Sequence, residues 1–532
     1  YNLSSDSLFL ISQTDNGETN NQSMTIRLGM DFTPDKKNAF GFSYLNSLID
    51  ASSASEIDYL TADSSLLNTS YKVRVSNGEE PFSYNGDIRT YYRRQLKKEG
   101  SNLRMGGYFS NSSGNDLDNY EEFPADASYG QTGESYLFEQ VREESNKKEF
   151  EGSLDHSYPF NDNISLEAGY KGSLNKRDND LEGLYKDIPT DTWLDDTSRT
   201  NRFLLDEHIE AVYSTFQHTV GKFTYKAGLR MEYVWMQSKL INTNESFLNN
   251  YFGIYPTLNL NYKLPKDQSL TFGFSRRVQR PGMGMLNPFP NYGDPLNIRK
   301  GNPFLNPQFI NALETGYTRY FTNGTFSSSL YYRYSTDVLN RIRTINEESV
   351  SLVTWDNIDK THSWGIELIG DYKPFKWWNI SANANLYQTK TIGSSAGVDL
   401  NNDNFSWNAG LTNTFNFWKS ANVQLTFRYR AKFESAQFII FPFTNLDLAL
   451  KKSFLKDNRA SISLRGSDLF NTLRFKLESK EVGVKQQLER HWESRQFWIT
   501  FTYNFGKLNN KRQGPGQQGP SPGGGGMDMM GM

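Results

Sequence analysis

The chain has no cysteine among its 532 residues, which excludes disulfides, iron–sulfur clusters and thiolate zinc sites. It has no long apolar run either. Nothing approaches the roughly 18 consecutive apolar residues of a membrane-spanning helix, and the mean hydropathy is −0.67. An excess of one charge is also missing, because 57 Lys and Arg face 60 Asp and Glu, for a formal −3. Nucleic acid is therefore not an expected partner, since binding it needs a basic surface that displaces counterions. The five histidines, His156, His208, His218, His362 and His491, have no ligand spacing, and there is no nucleophile motif, phosphate-binding glycine loop or HExxH. No catalysis, metal or cofactor is expected. None of these absences bears on a membrane β-barrel, in which only every second residue has to be apolar.

What the chain does have is alternation, together with 14% aromatic residues. Met24, Ile26, Leu28, Met30 and Phe32 alternate with Thr25, Arg27, Gly29 and Asp31. Val423, Leu425, Phe427 and Tyr429 alternate with Gln424, Thr426, Arg428 and Arg430, and Leu270, Phe272 and Phe274 with Ser269, Thr271, Gly273 and Ser275. This is the period of a strand with one greasy and one wet face. Each segment runs for about 9 to 12 residues, enough for a tilted strand to cross a bilayer.

The connections alternate as well. Short turns are predicted near residues 34–37, 97–101, 160–163, 220–222, 265–268, 322–324, 374–378, 418–421 and 455–458. Between them lie longer polar segments, predicted as loops, at about 46–86, 111–147, 176–200, 280–307, 341–361 and 470–494. Tight turns on one side and long loops on the other describe an up-and-down antiparallel transmembrane β-barrel, all-β, with the long loops extracellular. Nine turns join eighteen strands. Adding Gln496–Phe505 and a separate strand at Leu3–Gln13 gives about twenty, of an expected 22 for a plugged transporter.

In the last strand Phe497, Ile499, Phe501, Tyr503 and Phe505 form an unbroken apolar face, resembling the closing strand by which outer-membrane proteins are recognised for insertion. After Gly506 the residues from Lys507 to Met532 are too rich in Gly, Pro and Gln to pack, and a disordered periplasmic tail is expected. The opening YNLSSDSLFL has no basic n-region or cleavage site and reads as the interior of a longer protein. The expected organisation is a barrel over residues 1–506, lacking an N-terminal plug and its first two strands, and a tail over 507–532.

One stretch departs from the alternation. From Arg280 to Pro307 the chain reads RPGMGMLNPFPNYGDPLNIRKGNPFLNP, with too many fixed φ angles for a strand or helix. Arg280-Pro281, Asn287-Pro288-Phe289, Gly301-Asn302-Pro303, Leu305, Pro307 and Glu314-Thr315-Gly316-Tyr317 resemble the signature of TonB-dependent outer-membrane receptors. More narrowly, they resemble the outer-membrane β-barrel family that carries a carboxypeptidase-regulatory-like domain ahead of its plug. The resemblance is strong over about 213–506 and only patterned before that. Gln308 departs from it, because the family form has glutamate there. The resemblance implies an energy-coupled importer in the bacterial outer membrane, in contact with lipid, with the TonB complex through an N-terminal region, with a surface lipoprotein partner and with a nutrient ligand.

Candidate ligand contacts in the Arg280–Pro307 loop are Tyr292, Asp294, Arg299 and Asn302, which place polar and aromatic groups at a barrel mouth. The competing reading is structural, with Asn-Pro and Gly-Asn-Pro steps capping turns. Arg428, Arg430, Asp447, Lys451 and Arg465 lie opposite the apolar faces and are expected in the lumen, where they guide a charged solute or brace a plug. Asp178-Asn179-Asp180 starts like a calcium loop, but Pro189 stands where the bidentate acid belongs, so a solvated acidic loop is expected. Met527, Met529, Met530 and Met532 are read as part of a flexible tail with no fixed copper-binding geometry. Two functions fit this pattern: a barrel importing a bulky nutrient such as a glycan, peptide or metal chelate, and a non-transporting barrel acting as scaffold or adhesin subunit of a surface assembly.

Overall fold

The computed structural model describes residues 10–62, 69–291, 297–345, 350–418, 420–480 and 486–505. Residues 3–9, Tyr292, Asp294 and the tail from Lys507, with its methionines, lie outside them. Among the described residues one sheet contains 22 strands. Three of these are short, Thr192–Asp195, Glu245–Leu248 and Asn297–Arg299, which leaves 19 in a continuous antiparallel meander from Leu10–Phe32 to Phe497–Tyr503. Among the described residues, the two end strands each pair on one side only and not with each other. All nine short turns fall where the alternation predicted them.

Two expectations are corrected. Leu10–Gln13, read as the end of a separate strand, continues without a break into Leu10–Phe32; the 19 strands of the meander among the described residues agree with the expected count of about twenty. The segments 46–86, 111–147, 176–200 and 341–361, read as loops, are mostly ladder: Asn38–Ala62 and Thr69–Gln95 pair from Asn38↔Arg94 up to Ala62↔Thr69, and Gly324–Ile345 pairs with Ser351–Phe375 up to Ile345↔Ser351. Asp178 accordingly sits in the strand Ile164–Asp187, ion-paired with Arg202 at 2.8 Å. The cause is the solvent on either side. Where a hairpin rises out of lipid both faces meet water, so the apolar period disappears although the backbone ladder does not.

The meander has one apolar face. A single cross-strand row runs Tyr225, Leu260, Phe272, Thr315, Leu330, Ile366, Leu386, Trp407. The next row on the opposite face runs Lys226, Asn259, Gly273, Glu314, Tyr331, Gly365, Tyr387, Ser406. Leu330 is 61% exposed, as are Met30 at 63% and Ile499 at 79%, so a continuous apolar surface faces outward. Only lipid matches a patch of that extent. Aromatic rings mark its lower edge at the short turns: Phe32, Phe40 and Tyr92 stack in sequence, and Phe375, Trp377, Trp378 and Phe415 do the same. Amphipathic rings belong at such an interface.

The wall is uneven in height. Its first six strands have 23 to 27 residues, whereas Ala421–Arg430, Ala460–Gly466 and Phe497–Tyr503 have 10, 7 and 7. A 25-residue strand rises about 80 Å along its own axis, far beyond the hydrocarbon core. The high hairpins are tied together by charge. Arg74, 1% exposed, bridges Glu122 at 2.9 Å and Glu139 at 3.0 Å, and Arg199 and Lys72 close the network at 2.6 and 3.1 Å.

Close to this network Asp116 stands opposite Glu143. Burial, then Glu80, Glu143 and Asp118, push its carboxyl up to about 6. The folded chain thus holds this proton more tightly than the unfolded one. The associated stability is complete below the ordinary aspartate value and is lost as pH rises through about 6. Amide exchange over residues 110–120, corrected for intrinsic rate, should therefore be slower at about pH 4.5 than at about pH 7.5. Asp116→Asn should reduce the difference, with Asp118, also raised by burial and Glu143, supplying the remainder, and an unchanged difference in that variant would refute the assignment.

Candidate functional site at the barrel mouth

The Arg280–Pro307 segment begins where the strand Gln268–Gln279 ends. Pro281 lacks the N–H that a further ladder bond would use. Arg280 turns inward, where its guanidinium donates to Tyr251 Oη at 2.6 Å and to Glu232, and lies 4.0 Å from Glu207. Glu232 also accepts from Arg230 Nε at 2.6 Å. Glu232 and Glu207 are 7% and 17% exposed, so Arg280 compensates two carboxylates that have little water. The arginine of the Arg-Pro step is the root of the loop.

Beyond the root the segment folds over the inner face of the wall. Met283–Leu286 makes a single helical turn. Leu286 and Leu305, 1% and 0% exposed, enter an apolar cluster with Phe203, Leu205, Met236 and Leu240, and Leu339 and Trp355 pack against it. The first two Asn-Pro steps do the same local work. Asn287 Oδ1 accepts the Phe289 N–H at 3.1 Å and Asn302 Oδ1 accepts the Phe304 N–H at 3.0 Å, each closing an Asx turn around its proline. The two turns are held together by backbone bonds from Gly301 N–H to Asn287 O and from Asn302 N–H to Met285 O, both 2.7 Å. Glycine is required at 301, since a Cβ there would lie 2.5 Å from Met285 O and 2.6 Å from Asn287 O. Gln308, 9% exposed, accepts the Leu339 N–H at 3.1 Å through Oε1. An amide oxygen serves there as well as a carboxylate, which accounts for glutamine in place of glutamate.

Of the proposed ligand contacts, Arg299 is exposed, in the short strand Asn297–Arg299. Asn302 commits its amide to the Trp355 carbonyl at 3.2 Å as well as to its own turn. Among the charges expected in the lumen, Asp447 gathers Arg428 at 3.1 Å and Arg465 at 4.0 Å, and it accepts the Asp468 N–H at 3.0 Å. Arg430 lies over the Phe443 ring at 5.9 Å, and Lys451 is exposed on the same face, opposite Asn422 and Ser463.

Sequence reasoning missed three groups: the Glu207–Glu232 receptor for Arg280, the buried Asp468, and Arg341 with Arg343. Asp468 caps the start of the segment 467–474, accepting from Thr472 N–H at 2.9 Å, Leu473 N–H at 3.1 Å and Ser494 Oγ at 2.6 Å. Its Ser-Asp step at a strand end was a readable capping signal. The arginines could have been placed by carrying the alternation of Tyr331 and Arg333 upward. Across the mouth, Phe438–Ile440, Arg474–Ser479 and Gln487–His491 form a separate small sheet with Phe433–Glu434.

A family model described as the outer membrane protein beta-barrel family matches residues 94–503. No curated protein sequence matches the chain. In fold the chain is similar to the copper transporter OprC, at TM-score 0.60 and 12% identity over 93% of this chain and 80% of that one. It is also similar to the ferric-catecholate import receptor Fiu from K12 E. coli (TM-score 0.59, 10% identity, 95% and 82%) and to the unliganded ferric citrate transporter FecA (0.56, 12%, 94% and 78%).

Proposed function

The chain belongs to the outer membrane protein beta-barrel family, and we propose that it is the barrel of a TonB-dependent importer taking up a bulky nutrient. The observation that carries this reading is the inward-folded Arg280–Pro307 segment. It is anchored to the inner wall at both ends, by Arg280 to Glu232 and by Gln308 to Leu339, which supports reading it as a cover on the inner side of the wall. A polar inner face under such a cover is suited to solutes too large for simple diffusion. In this proposal the TonB complex acts through a region N-terminal to the barrel, residues 507–532 form a periplasmic tail, and the nutrient is a glycan, peptide or metal chelate. The tall wall above the lipid band also favours a surface lipoprotein partner, which docks there.

Disruption of the gene should abolish growth on one class of nutrient supplied as sole source, and loss of the TonB system should reproduce that defect. A strain that keeps growing on every nutrient but loses a co-purifying surface protein would instead identify a scaffold or adhesin subunit.

A further inference from the structure

Three arginines are brought together on the inner face of the mouth. Strand Trp378–Ile392 pairs with Ser351–Phe375 only up to Lys360↔Ile392, and above that point the short strand Asn297–Arg299 takes the free edge in parallel register. Val353 then has Arg299 beside it on one edge and Arg343 on the other. Arg341 is opposite Trp355, the next pair on the same side of the ladder. Cross-strand partners and alternate residues share a face, so three guanidinium groups lie within two residue pairs of one another.

That face looks into the mouth. Leu339 and Trp355 on it pack against the Leu286–Leu305 cluster, and Asn357 holds the Asn306 backbone at 2.8 and 3.0 Å. The other face is apolar and closed, with Ile342, Ile358 and Leu400 at 0 to 2% exposure. Arg343 donates to Ser351 Oγ at 2.6 Å, to Asn297 Oδ1 at 3.3 Å and to Gln486. Among the described residues, no ion pair includes Arg299 or Arg341. Burial and the neighbouring Arg299 and Arg343 bring Arg341 down to about 10. Like charges side by side on a ladder repel, and a half-buried guanidinium has lost part of its water. An oxyanion relieves both costs, because the planar guanidinium fork matches carboxylate and phosphate oxygens.

We propose that Arg299, Arg341 and Arg343 form a receptor site for the carboxylate or phosphate groups of a polyanionic nutrient, with the Trp355 ring beside it. The proposal rests on the importer reading and adds to it the chemical class of the cargo. The face is turned toward the lumen, so the occupant is a soluble anion and not a lipid headgroup.

The test is calorimetric titration of the purified full chain in a neutral detergent with inorganic phosphate, pyrophosphate and citrate. At least one should bind, more weakly as salt rises. Arg341→Gln and Arg299→Gln should each lower its affinity about ten- to a hundredfold. Arg319→Gln, at the opposite end of the wall over the Phe321 ring, should leave it unchanged. Heat-modifiable migration in gels checks that every variant is folded. Binding of none of the three anions, or equal binding by Arg341→Gln and Arg299→Gln, overturns the site. Failure of the site alone would coexist with nutrient-dependent growth, whereas anion binding without any growth phenotype would sink the importer and leave the site standing.

Discussion

Leu330→Arg is expected to cost the barrel about 2 to 4 kcal/mol in the membrane, the price of a cation near the bilayer midplane. Leu330 is seven positions from the turn that follows Phe321, is 61% exposed, and is flanked on neighbouring strands by Thr315 and Ile366. No water reaches that outward row once lipid surrounds it. Tyr331→Arg, one residue along on the inner row beside Glu314 and Gly365, should cost much less. Urea titration of both variants refolded into vesicles would measure the difference. Equal losses would mean that the two faces are misassigned.

Arg280→Met should destabilise the mouth by about 3 to 5 kcal/mol, because it removes the cation and leaves Glu232 and Glu207 buried. The effect should be local. The lipid-embedded ladder keeps all of its backbone bonds, while the segment 280–307 loses its root and, with it, the seating of Leu286 and Leu305. Limited proteolysis from the extracellular side should cut within 280–307 in the variant and not in the parent protein, with heat-modifiable migration unchanged. Arg280→Met combined with Glu207→Gln should recover much of the loss, since Glu207 is the carboxylate left without a cation while Glu232 keeps Arg230. A double variant cut as readily as Arg280→Met would show that the arginine acts by packing and not by charge.

The same two regions show how far sequence carries. Alternation marked the lipid-facing residues from Met24 to Phe505 because lipid is an unambiguous solvent that admits only apolar side chains. The short turns were legible for a related reason, since a tight turn has to interrupt the alternation within a few residues. Arg280-Pro281, the Asn-Pro steps and Gly301 stood out as a motif, yet what they do depends on partners far along the chain. Glu232 is 48 positions before Arg280, and Trp355 is 53 after Asn302.

By itself, then, the sequence determined the all-β meander, the lipid-facing alternation, the place of each short turn and the break at Arg280. Only the tertiary structure decided the height of the wall and the path of the mouth segment. It alone set Arg299, Arg341 and Arg343 side by side. The physical reason is that hydrophobic periodicity is a local record of solvent. Above the lipid that record is blank on both faces, and position there is set by ladder register, buried ion pairs and long-range packing.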